Sequence, residues 1–559
     1  MTAPRRTLLL LLALLLGCLT LRTEGGTTPT AAADGAVGAS ARRLVPEQAD
    51  AASILQTSRR TGEPDVASPS PISAGPPSAP ALIGADRWRA AGFTGYGVRV
   101  AIVDRGFAGY EALLGNGLPA STRARSFRAD GNLAAGGDHG TLAARAVASM
   151  APQTQLYLLA FSTQEELATL TAYLAQERIQ VVSFSISFVF TGPGNGTGAV
   201  NDLIGRSVAN GTFWAVSAGN WATQHWSGTF LDRSGNTVHE FAPGVEADSR
   251  VYRAQDLITV ALRWDNLWGA ACDDYDLELF DPDGSLIQAS RGLQECHSDP
   301  VEKIEVLATR DGRYRTRVIR VAGSAARRFD LFMLGTPDRG EELEFSTASA
   351  SLLEPADQPS VFTVGAASSL NLAQPSRFSS RGPTLDGRIK PDVLAPAGPQ
   401  PFGDDSFAGT SAATSYAAGA AALLLEAYPV LSPRELADQL RQRALDAPPP
   451  GPDSDTGAGL LQMGTLSGLG PLLPAGASAA VFTTDVTQPN AALSVFRYRG
   501  PSGFPARFAY TLTGARTPAA LYRLDIARAR FDLFVMRAPP FVNTFDVFAD
   551  GDFIFVRFQ

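Results

Sequence analysis

Four polar side chains in this sequence are of types that could cooperate in chemistry: a carboxylate, an imidazole, an amide and a hydroxyl. Asp104 ends the apolar stretch VRVAIVD, His139 stands in DHGT, Asn220 closes FWAVSAGN, and Ser411 follows Gly-Thr in FAGTSAATSYAAG. Each has an ordinary structural explanation by itself, because Asp and Asn often form turns and Ser often caps a helix. Taken alone, Ser411 is therefore either a nucleophile or a helix cap.

The elements that must position these residues alternate between apolar strands and amphipathic helices. Six runs are hydrophobic on both faces, as in a parallel sheet covered by helices: VRVAIVD, LYLLAF, VVSFSISF, FWAVSAGN, VFTVGAA and DVLAP. Between them, GTLAARAVASM and TQEELATLTAYLAQE have apolar residues at three- and four-residue spacing, which predicts helices packed on that sheet. Asp104 and Asn220 then lie at the carboxyl ends of strands, where open parallel sheets bind ligands.

Two further regions alternate with period two, as antiparallel strands do. Between Asn220 and about Pro359 lie LITVALRW, YDLELFDPDG, YRTRVIRVAG and FDLFML. From about Gly476 to the last residue lie VFTTDV, LSVFRY, RFAYTL and DFIFVRF. The first region interrupts the α/β pattern and predicts an inserted β module, and the second predicts a β-rich C-terminal region.

In their chain order, the chemical motifs resemble those of the subtilisin-like serine proteases, the subtilases. VAIVDRG is similar to the family's aspartate motif, DHGT to its His-Gly-Thr, SAGN to its oxyanion asparagine, and AGTSAA to its nucleophile motif. FSSRGPTLDGRIKPDVLAPAG, residues 378–398, is nearly identical to the long signature that runs up to the nucleophile. The order Asp, His, Ser is that of subtilisin.

The resemblance implies a serine endopeptidase that acts on protein or peptide substrates and needs no cofactor for catalysis. Asp104 would orient His139, which would take the proton of Ser411 as this serine attacks the peptide carbonyl to form an acyl-enzyme. Asn220 would hold the oxyanion. The residues implied to bind substrate are Ser185, Ile186, Ser187, Ala218 and Gly219.

Three positions depart from the family's pattern. Arg105 stands where a small hydroxyl residue usually follows the aspartate, which changes the charge and hydrogen bonding expected near His139. Ser187 replaces a glycine in the segment expected to line the substrate cleft, and Ser415 replaces a proline four residues after the nucleophile. These changes bear more on specificity than on the reaction itself.

The predicted fold is α/β, with a subtilisin-like parallel sheet flanked by helices, an inserted β-sandwich module and a small β-rich C-terminal region. The predicted boundaries are 1–22 for a signal peptide, 23–81 for a disordered leader, 82–220 and 356–470 for the two parts of the catalytic domain, 221–355 for the insertion and 476–559 for the C-terminal region. The leader is assigned from its richness in Ala, Gly, Ser, Thr and Pro.

Two other functions compete with this interpretation. An α/β-hydrolase esterase also uses Ser, Asp and His, but in that chain order and around a GxSxG turn, whereas Ala413 stands where the second glycine would be. The second is a catalytically inactive secreted binding or adhesion protein with a protease-like core, supported by the three departures. A serine-directed probe separates this alternative from an active protease.

Composition and the N-terminus indicate an exported protein that does not bind nucleic acid. The net charge is −8 and no basic tract is present. Arg5 and Arg6 precede an apolar run too short to span a bilayer, as in a secretion signal. The box Leu15-Leu16-Gly17-Cys18 also resembles a lipoprotein cleavage site. The protein is expected either to be secreted or to be tethered to the cell surface through a lipid on Cys18.

Of the three cysteines, Cys272 and Cys296 form the pair left after processing, and a disulfide is expected in an oxidising compartment. A zinc site that adds His297 is the alternative, although it lacks the close CxxC spacing that zinc sites favour.

An acidic segment of the insertion has the hard oxygens that suit a structural calcium ion. Asp274, Asp276 and Glu278 alternate on one strand face, and Asp281 and Asp283 follow in a turn. A solvated acidic face is the alternative.

Overall fold

The structure is a computed structural model that describes residues 44–46, 78–323, 326–335, 342–398 and 407–464, together with seven strands of the C-terminal region. Cys18 and the N-terminal apolar run lie outside the described residues, so the signal peptide and the lipid anchor stay predictions. Among the described residues, no helix is long and apolar enough to cross a membrane.

The elements follow one another in four groups. The first is β1 (Leu44–Pro46), α1 (Ala79–Ile83), α2 (Ala85–Ala90), β2 (Arg99–Asp104), a 3₁₀ helix (Tyr110–Leu113), β3 (Arg123–Ser126), α3 (His139–Met150), β4 (Gln155–Ala160), α4 (Gln164–Gln176), β5 (Val181–Phe184), β6 (Ile186–Phe188), α5 (Ala199–Ala209) and β7 (Phe213–Ser217). The second is β8 (His225–Thr229), β9 (Asp248–Tyr252), β10 (Leu257–Trp264), β11 (Asp274–Phe280), β12 (Leu286–Ser290), β13 (Val301–Leu307), β14 (Gly312–Ala322) and β15 (Arg328–Leu334). The third is β16 (Phe362–Ala367), β17 (Val393–Pro396), α6 (Thr410–Ala427) and α7 (Pro433–Arg443). The C-terminal group is β18 (Val481–Thr483), β19 (Leu493–Arg499), β20 (Phe504–Pro505), β21 (Pro518–Asp525), β22 (Arg530–Phe534), β23 (Val547–Phe548) and β24 (Phe553–Phe558).

A seven-stranded sheet in the order β17-β16-β7-β5-β2-β4-β3 lies at the centre of the α/β part, and all its neighbouring strands are parallel. Strands β5, β7 and β16 are buried along their whole length, which is why their sequences are predominantly apolar. The edge strand β3 is mostly exposed and polar, so hydrophobic periodicity did not predict it. The predicted α/β fold class is confirmed.

Helix α6 carries the small-residue run after Ser411 and is buried along almost all of its length. It packs on α3 so closely that a Cβ added to Gly419 would lie 2.4 Å from the Cβ of Met150. The small side chains therefore bring the helix that bears Ser411 against the helix that begins at His139.

The second group of strands forms two four-stranded antiparallel sheets, β13-β10-β15-β8 and β12-β11-β14-β9, here called the inserted module. Their inner faces share one apolar core, as expected for a β-sandwich. Cys272 and Cys296 are joined by a disulfide in this module, as predicted. Because the bridge uses both thiols, these cysteines do not form a zinc site with His297.

Arginine side chains neutralise the acidic segment that suggested calcium. Arg291 lies 2.7 Å from Glu278 and 3.7 Å from Asp276, and Arg310 pairs with Asp281 and Asp283. In the part of the chain that the structure describes, no cluster of three or more His, Cys, Asp or Glu side chains is arranged to hold a metal ion. The ion pairs favour a charge-balanced face, but this face is not freely solvated as the alternative assumed, since the side chains of Asp276, Glu278 and Asp281 are only 13–15% exposed.

Buried ion pairs join the inserted module to the α/β part. Arg263 of β10 donates to Glu354 Oε1 at 2.9 Å and to the carbonyl of Gly192 at 3.1 Å, and it lies 3.4 Å from Asp330 of β15. The side chains of these three charged residues are 1–2% exposed. Loss of one partner would leave a buried charge uncompensated, which typically costs about 3–5 kcal/mol, so a substitution on either side of this contact should destabilise the protein.

His239 lies in the core of the inserted module, where burial lowers its pKa to about 4. Its Nδ1 accepts a hydrogen bond from the backbone N–H of Leu231 at 3.0 Å, which requires the neutral ring. The surrounding rings belong to Trp226, Phe230, Phe241 and Phe329. Because the folded-state pKa lies below the ordinary 6.5, stability is fully present above pH 6.5 and falls as the pH drops towards about 4.

We expect acid to destabilise the inserted module through His239. The gap between pKa 6.5 and about 4 corresponds to a loss of up to about 3 kcal/mol in the free energy of unfolding. In His239→Gln, urea unfolding between pH 7 and pH 4.5 should lose this dependence, since an amide oxygen can accept from Leu231 without titrating. His297→Gln, at an exposed position of the same module, is the control. An unchanged pH dependence in His239→Gln would contradict the assignment.

Candidate active site

The structure brings Asp104, His139 and Ser411 into one hydrogen-bonded chain. Asp104 Oδ2 lies 2.7 Å from His139 Nδ1, and His139 Nε2 lies 3.0 Å from Ser411 Oγ. All three side chains are buried, with His139 the most exposed at 8%. If the Nδ1–H donates to the carboxylate, Nε2 is left with a lone pair directed at the serine hydroxyl. The distances are those of a nucleophile and a general base.

The end of β2 and the start of α3 explain why Asp104 and His139 meet. Asp104 is the last residue of β2, and its Oδ1 also accepts from the backbone N–H of Arg105 at 2.7 Å. Gly140 follows His139, and a Cβ there would lie 2.6 Å from the carbonyl oxygen of Gly106 and 2.8 Å from the Cβ of Asp104. Only a glycine allows the helix to start this close to the strand end.

Ser411 is the second residue of α6 and does not cap it. The N-cap is Gly409, which has no side chain to make a capping hydrogen bond. The hydroxyl of Ser411 is instead directed at His139. The N-terminus of this 18-residue helix also favours negative charge that develops beside Ser411.

The side-chain amide of Asn220 is held in one orientation by Thr410, the residue before Ser411. Its Oδ1 accepts from the backbone N–H of Thr410 at 3.2 Å and from the Thr410 hydroxyl at 3.1 Å. Its Nδ2 is buried and has no hydrogen-bond partner among the described residues. An unsatisfied buried donor is costly, and one beside a nucleophile is suited to receive a developing oxyanion.

The predicted substrate-binding residues lie after two neighbouring strands of the parallel sheet. Ile186 and Ser187 belong to β6, which begins one residue after Ser185, and Ala218 and Gly219 follow β7 directly. The backbone of residues 44–46 pairs antiparallel with β6, with Val45 opposite Ser187. This edge of β6 therefore accepts an extended chain, as a substrate backbone requires.

Two of the departures from the family's pattern now have a structural description. Ser415 donates from Oγ to the carbonyl of Ser411 at 2.9 Å, a hydrogen bond that a proline at this position could not make. Arg105 supplies a backbone N–H to Asp104, and its side chain is half-buried. Neither change breaks the hydrogen-bonded chain.

Three residues near the site were not predicted. Thr410 orients Asn220, Phe407 packs the edge of its ring against His139 with centroids 5.3 Å apart, and Trp221 contacts two of the predicted substrate-binding residues. Thr410 and Trp221 are sequence neighbours of the predicted residues Ser411 and Asn220, and this adjacency is the only signal that could have identified them. Their contacts depend on packing between distant segments and could not be predicted.

Comparisons with known proteins agree with the predicted family. Residues 338–459 match the model of the subtilase family. Over 117 residues the chain is 35% identical to the serine protease AprX of Bacillus subtilis (strain 168), covering 17% of this chain and 26% of that protein. The chain thus spans about a quarter of the length of that relative.

Solved structures of two proteases are similar to this chain at low identity. The CspB protease of Clostridium perfringens is 17% identical, with a TM-score of 0.48, and the match covers 69% of this chain and 96% of that one. MycP1 from Mycobacterium smegmatis is 18% identical, with a TM-score of 0.37, and the match covers 75% and 91%.

Proposed function

We propose that this chain, whose residues 338–459 match the model of the subtilase family, is a serine endopeptidase that hydrolyses protein or peptide substrates through an acyl-enzyme. The observation that carries the proposal is the hydrogen-bonded chain from Asp104 through His139 to Ser411. The unpaired Nδ2 of Asn220 beside the nucleophile supports it.

In the proposed first step, Ser411 Oγ attacks the carbonyl carbon while His139 Nε2 takes its proton. The carbonyl electron pair moves onto oxygen, where the Nδ2–H of Asn220 donates to the oxyanion. Asp104 accepts from Nδ1–H throughout, which stabilises the imidazolium and fixes its orientation. When the tetrahedral intermediate collapses, the leaving amine takes the proton from His139 Nε2, and an ester to Ser411 remains. A water molecule then attacks the ester carbonyl while His139 Nε2 takes its proton, and this proton passes to Ser411 Oγ as the acid product leaves.

Export of the proposed enzyme is the second part of the proposal. The N-terminal apolar run preceded by Arg5 and Arg6 supports a secretion signal. The disulfide between Cys272 and Cys296 supports an oxidising compartment, since such bridges persist there. Mass spectrometry of the mature N-terminus would distinguish a trimmed secretion signal from a lipidated Cys18.

Covalent labelling with a fluorophosphonate probe tests whether Ser411 is an activated nucleophile. The wild-type chain should take up one probe per molecule, at Ser411, because His139 removes the proton of that hydroxyl alone. Ser411→Ala should take up none.

Ser432→Ala is the matched control, because Ser432 is an N-cap whose side chain accepts from the backbone N–H of Glu435. It should lose some stability and keep full labelling. A folded wild-type chain that took up no probe would favour the inactive binding protein.

A further inference from the structure

We propose that Trp221 fills the pocket for the substrate residue that supplies the scissile carbonyl, so that the enzyme cleaves after small side chains such as those of Gly, Ala and Ser. The inference rests on the proposed peptidase function and adds its substrate class. It follows from the position of one indole ring between the two predicted walls of the cleft.

The place of that substrate side chain follows from the site. The scissile carbonyl must lie between Ser411 Oγ and the Nδ2 of Asn220, and the substrate backbone must run along the edge of β6. Strands β5 and β7 are parallel neighbours, so the segments that follow them, 185–187 and 218–220, leave the sheet at the same end, and Asn220 contacts Thr410 next to Ser411. The side chain next to the carbonyl therefore enters the crevice between these two segments.

The indole of Trp221 occupies this crevice and contacts both walls. Its Nε1 donates to Ser187 Oγ at 3.3 Å. On the other wall, a Cβ added to Gly219, where φ is +107°, would lie 2.5 Å from Cδ1 and 2.7 Å from Nε1 of the ring. Trp221 is 0% exposed. Ser187, one of the departures from the family's pattern, supplies the acceptor that holds the ring across the gap.

The inserted module prevents the ring from leaving. Trp221 belongs to a buried apolar cluster with Val189, Phe190, Leu353 and, from β10 and β15, Ala261, Phe332 and Leu334. Its backbone N–H donates to Ser380 Oγ at 3.1 Å, and its carbonyl accepts from the backbone N–H of Gln224 at 2.8 Å. Moving a tryptophan out of a close-packed cluster would leave a cavity and break these contacts. The ring therefore acts as a fixed floor that leaves little depth for a side chain.

A peptide series tests this directly on the full-length chain. Fluorogenic peptides that differ only in Gly, Ala, Leu or Phe before the scissile bond would be compared by kcat/KM. The wild type should cleave the Ala peptide at least about tenfold faster than the Phe peptide, because a filled pocket gives no binding energy to a large side chain. Faster cleavage of the Phe or Leu peptide by the wild type would overturn the proposal.

Two substitutions at position 221 separate the size of the ring from its hydrogen bond. Trp221→Ala should open the pocket and raise the Phe-to-Ala ratio of kcat/KM by at least about 100-fold, whereas Trp221→Phe keeps a ring and should change it by less than about tenfold. If Trp221 had only a structural role, its substitution would lower kcat/KM for all four peptides by the same factor and leave the Phe-to-Ala ratio unchanged.

Trp214→Phe is the control for destabilisation elsewhere. Trp214 is equally buried, its indole also donates to a serine, Ser207, at 3.0 Å, and it belongs to another apolar cluster. This variant should lose stability without a change in the ratio.

The fluorophosphonate probe carries no peptide side chain, so it distinguishes a failure of the proposed role of Trp221 from a failure of the proposed peptidase function. A wild-type chain that labels at Ser411 but prefers Phe would contradict the role of Trp221 alone. A chain that neither labels nor cleaves any peptide would contradict the peptidase itself. If Trp221→Ala does not fold, the wild-type peptide series still decides the proposal.

Discussion

Ser411→Ala is expected to lower kcat for casein or peptide hydrolysis by roughly six powers of ten, a magnitude taken over from subtilisin. Without Oγ, no acyl-enzyme can form, although Asn220 and the cleft remain. The fold should be preserved because the N-cap of α6 is Gly409 and not Ser411. Casein hydrolysis by equal amounts of the two purified proteins, with thermal unfolding measured in parallel, checks both statements.

His139→Ala should resemble Ser411→Ala, and the double variant should be no worse than either, because the base acts only through the nucleophile. Additive losses would mean that the two residues work separately. Equal hydrolysis by the wild type and Ser411→Ala would show that the activity comes from another group or from a contaminant.

Asn220→Ala is expected to lower kcat by about two to three powers of ten, the loss seen when the oxyanion asparagine of subtilisin is removed, and to leave KM nearly unchanged. The amide would act on charge that develops only in the transition state, so ground-state binding should not depend on it. Steady-state kinetics on one peptide, with KM and kcat determined separately, is the measurement.

Thr410→Val is the matched control for Asn220→Ala. It removes the hydroxyl that donates to Asn220 Oδ1 at 3.1 Å and leaves the backbone N–H at 3.2 Å in place. A fall in kcat of less than about tenfold is expected, since the loss of one neutral hydrogen bond is worth about 1 kcal/mol. If Asn220→Ala raised KM and left kcat unchanged, the amide would bind substrate and not the oxyanion.

The sequence was informative about the parallel sheet because all six apolar runs lie on buried strands, where both faces must be hydrophobic. It was also informative about the candidate site, because Asp104, His139, Asn220 and Ser411 stand in short local motifs whose order is readable along the chain. Glycines such as Gly140 belong to these motifs because the backbone comes too close for a side chain.

Features that depend on packing between distant segments could not be predicted. Trp221 and Ser187 are 34 residues apart, and their hydrogen bond exists only because β5 and β7 are neighbours. The ion pair of Arg263 with Glu354 spans 91 residues and two structural units. In the sequence, Trp221 is an ordinary residue after a strand end and Arg263 an ordinary residue of a β-strand, because no local pattern marks either position.

The inserted module also has a consequence for the order in which the protein is made. Its first and last strands, β8 and β15, pair with each other, so the chain leaves and rejoins the parallel sheet at neighbouring points. A growing polypeptide can therefore complete the module while Asp104, His139 and Asn220 are already synthesised and Ser411, 272 residues after His139, is not. Contacts of such long range form slowly, because the loop-closure entropy must be overcome first. His139 and Ser411 can thus meet only after the whole module has been synthesised, so the proposed active site cannot be complete in a shorter nascent chain.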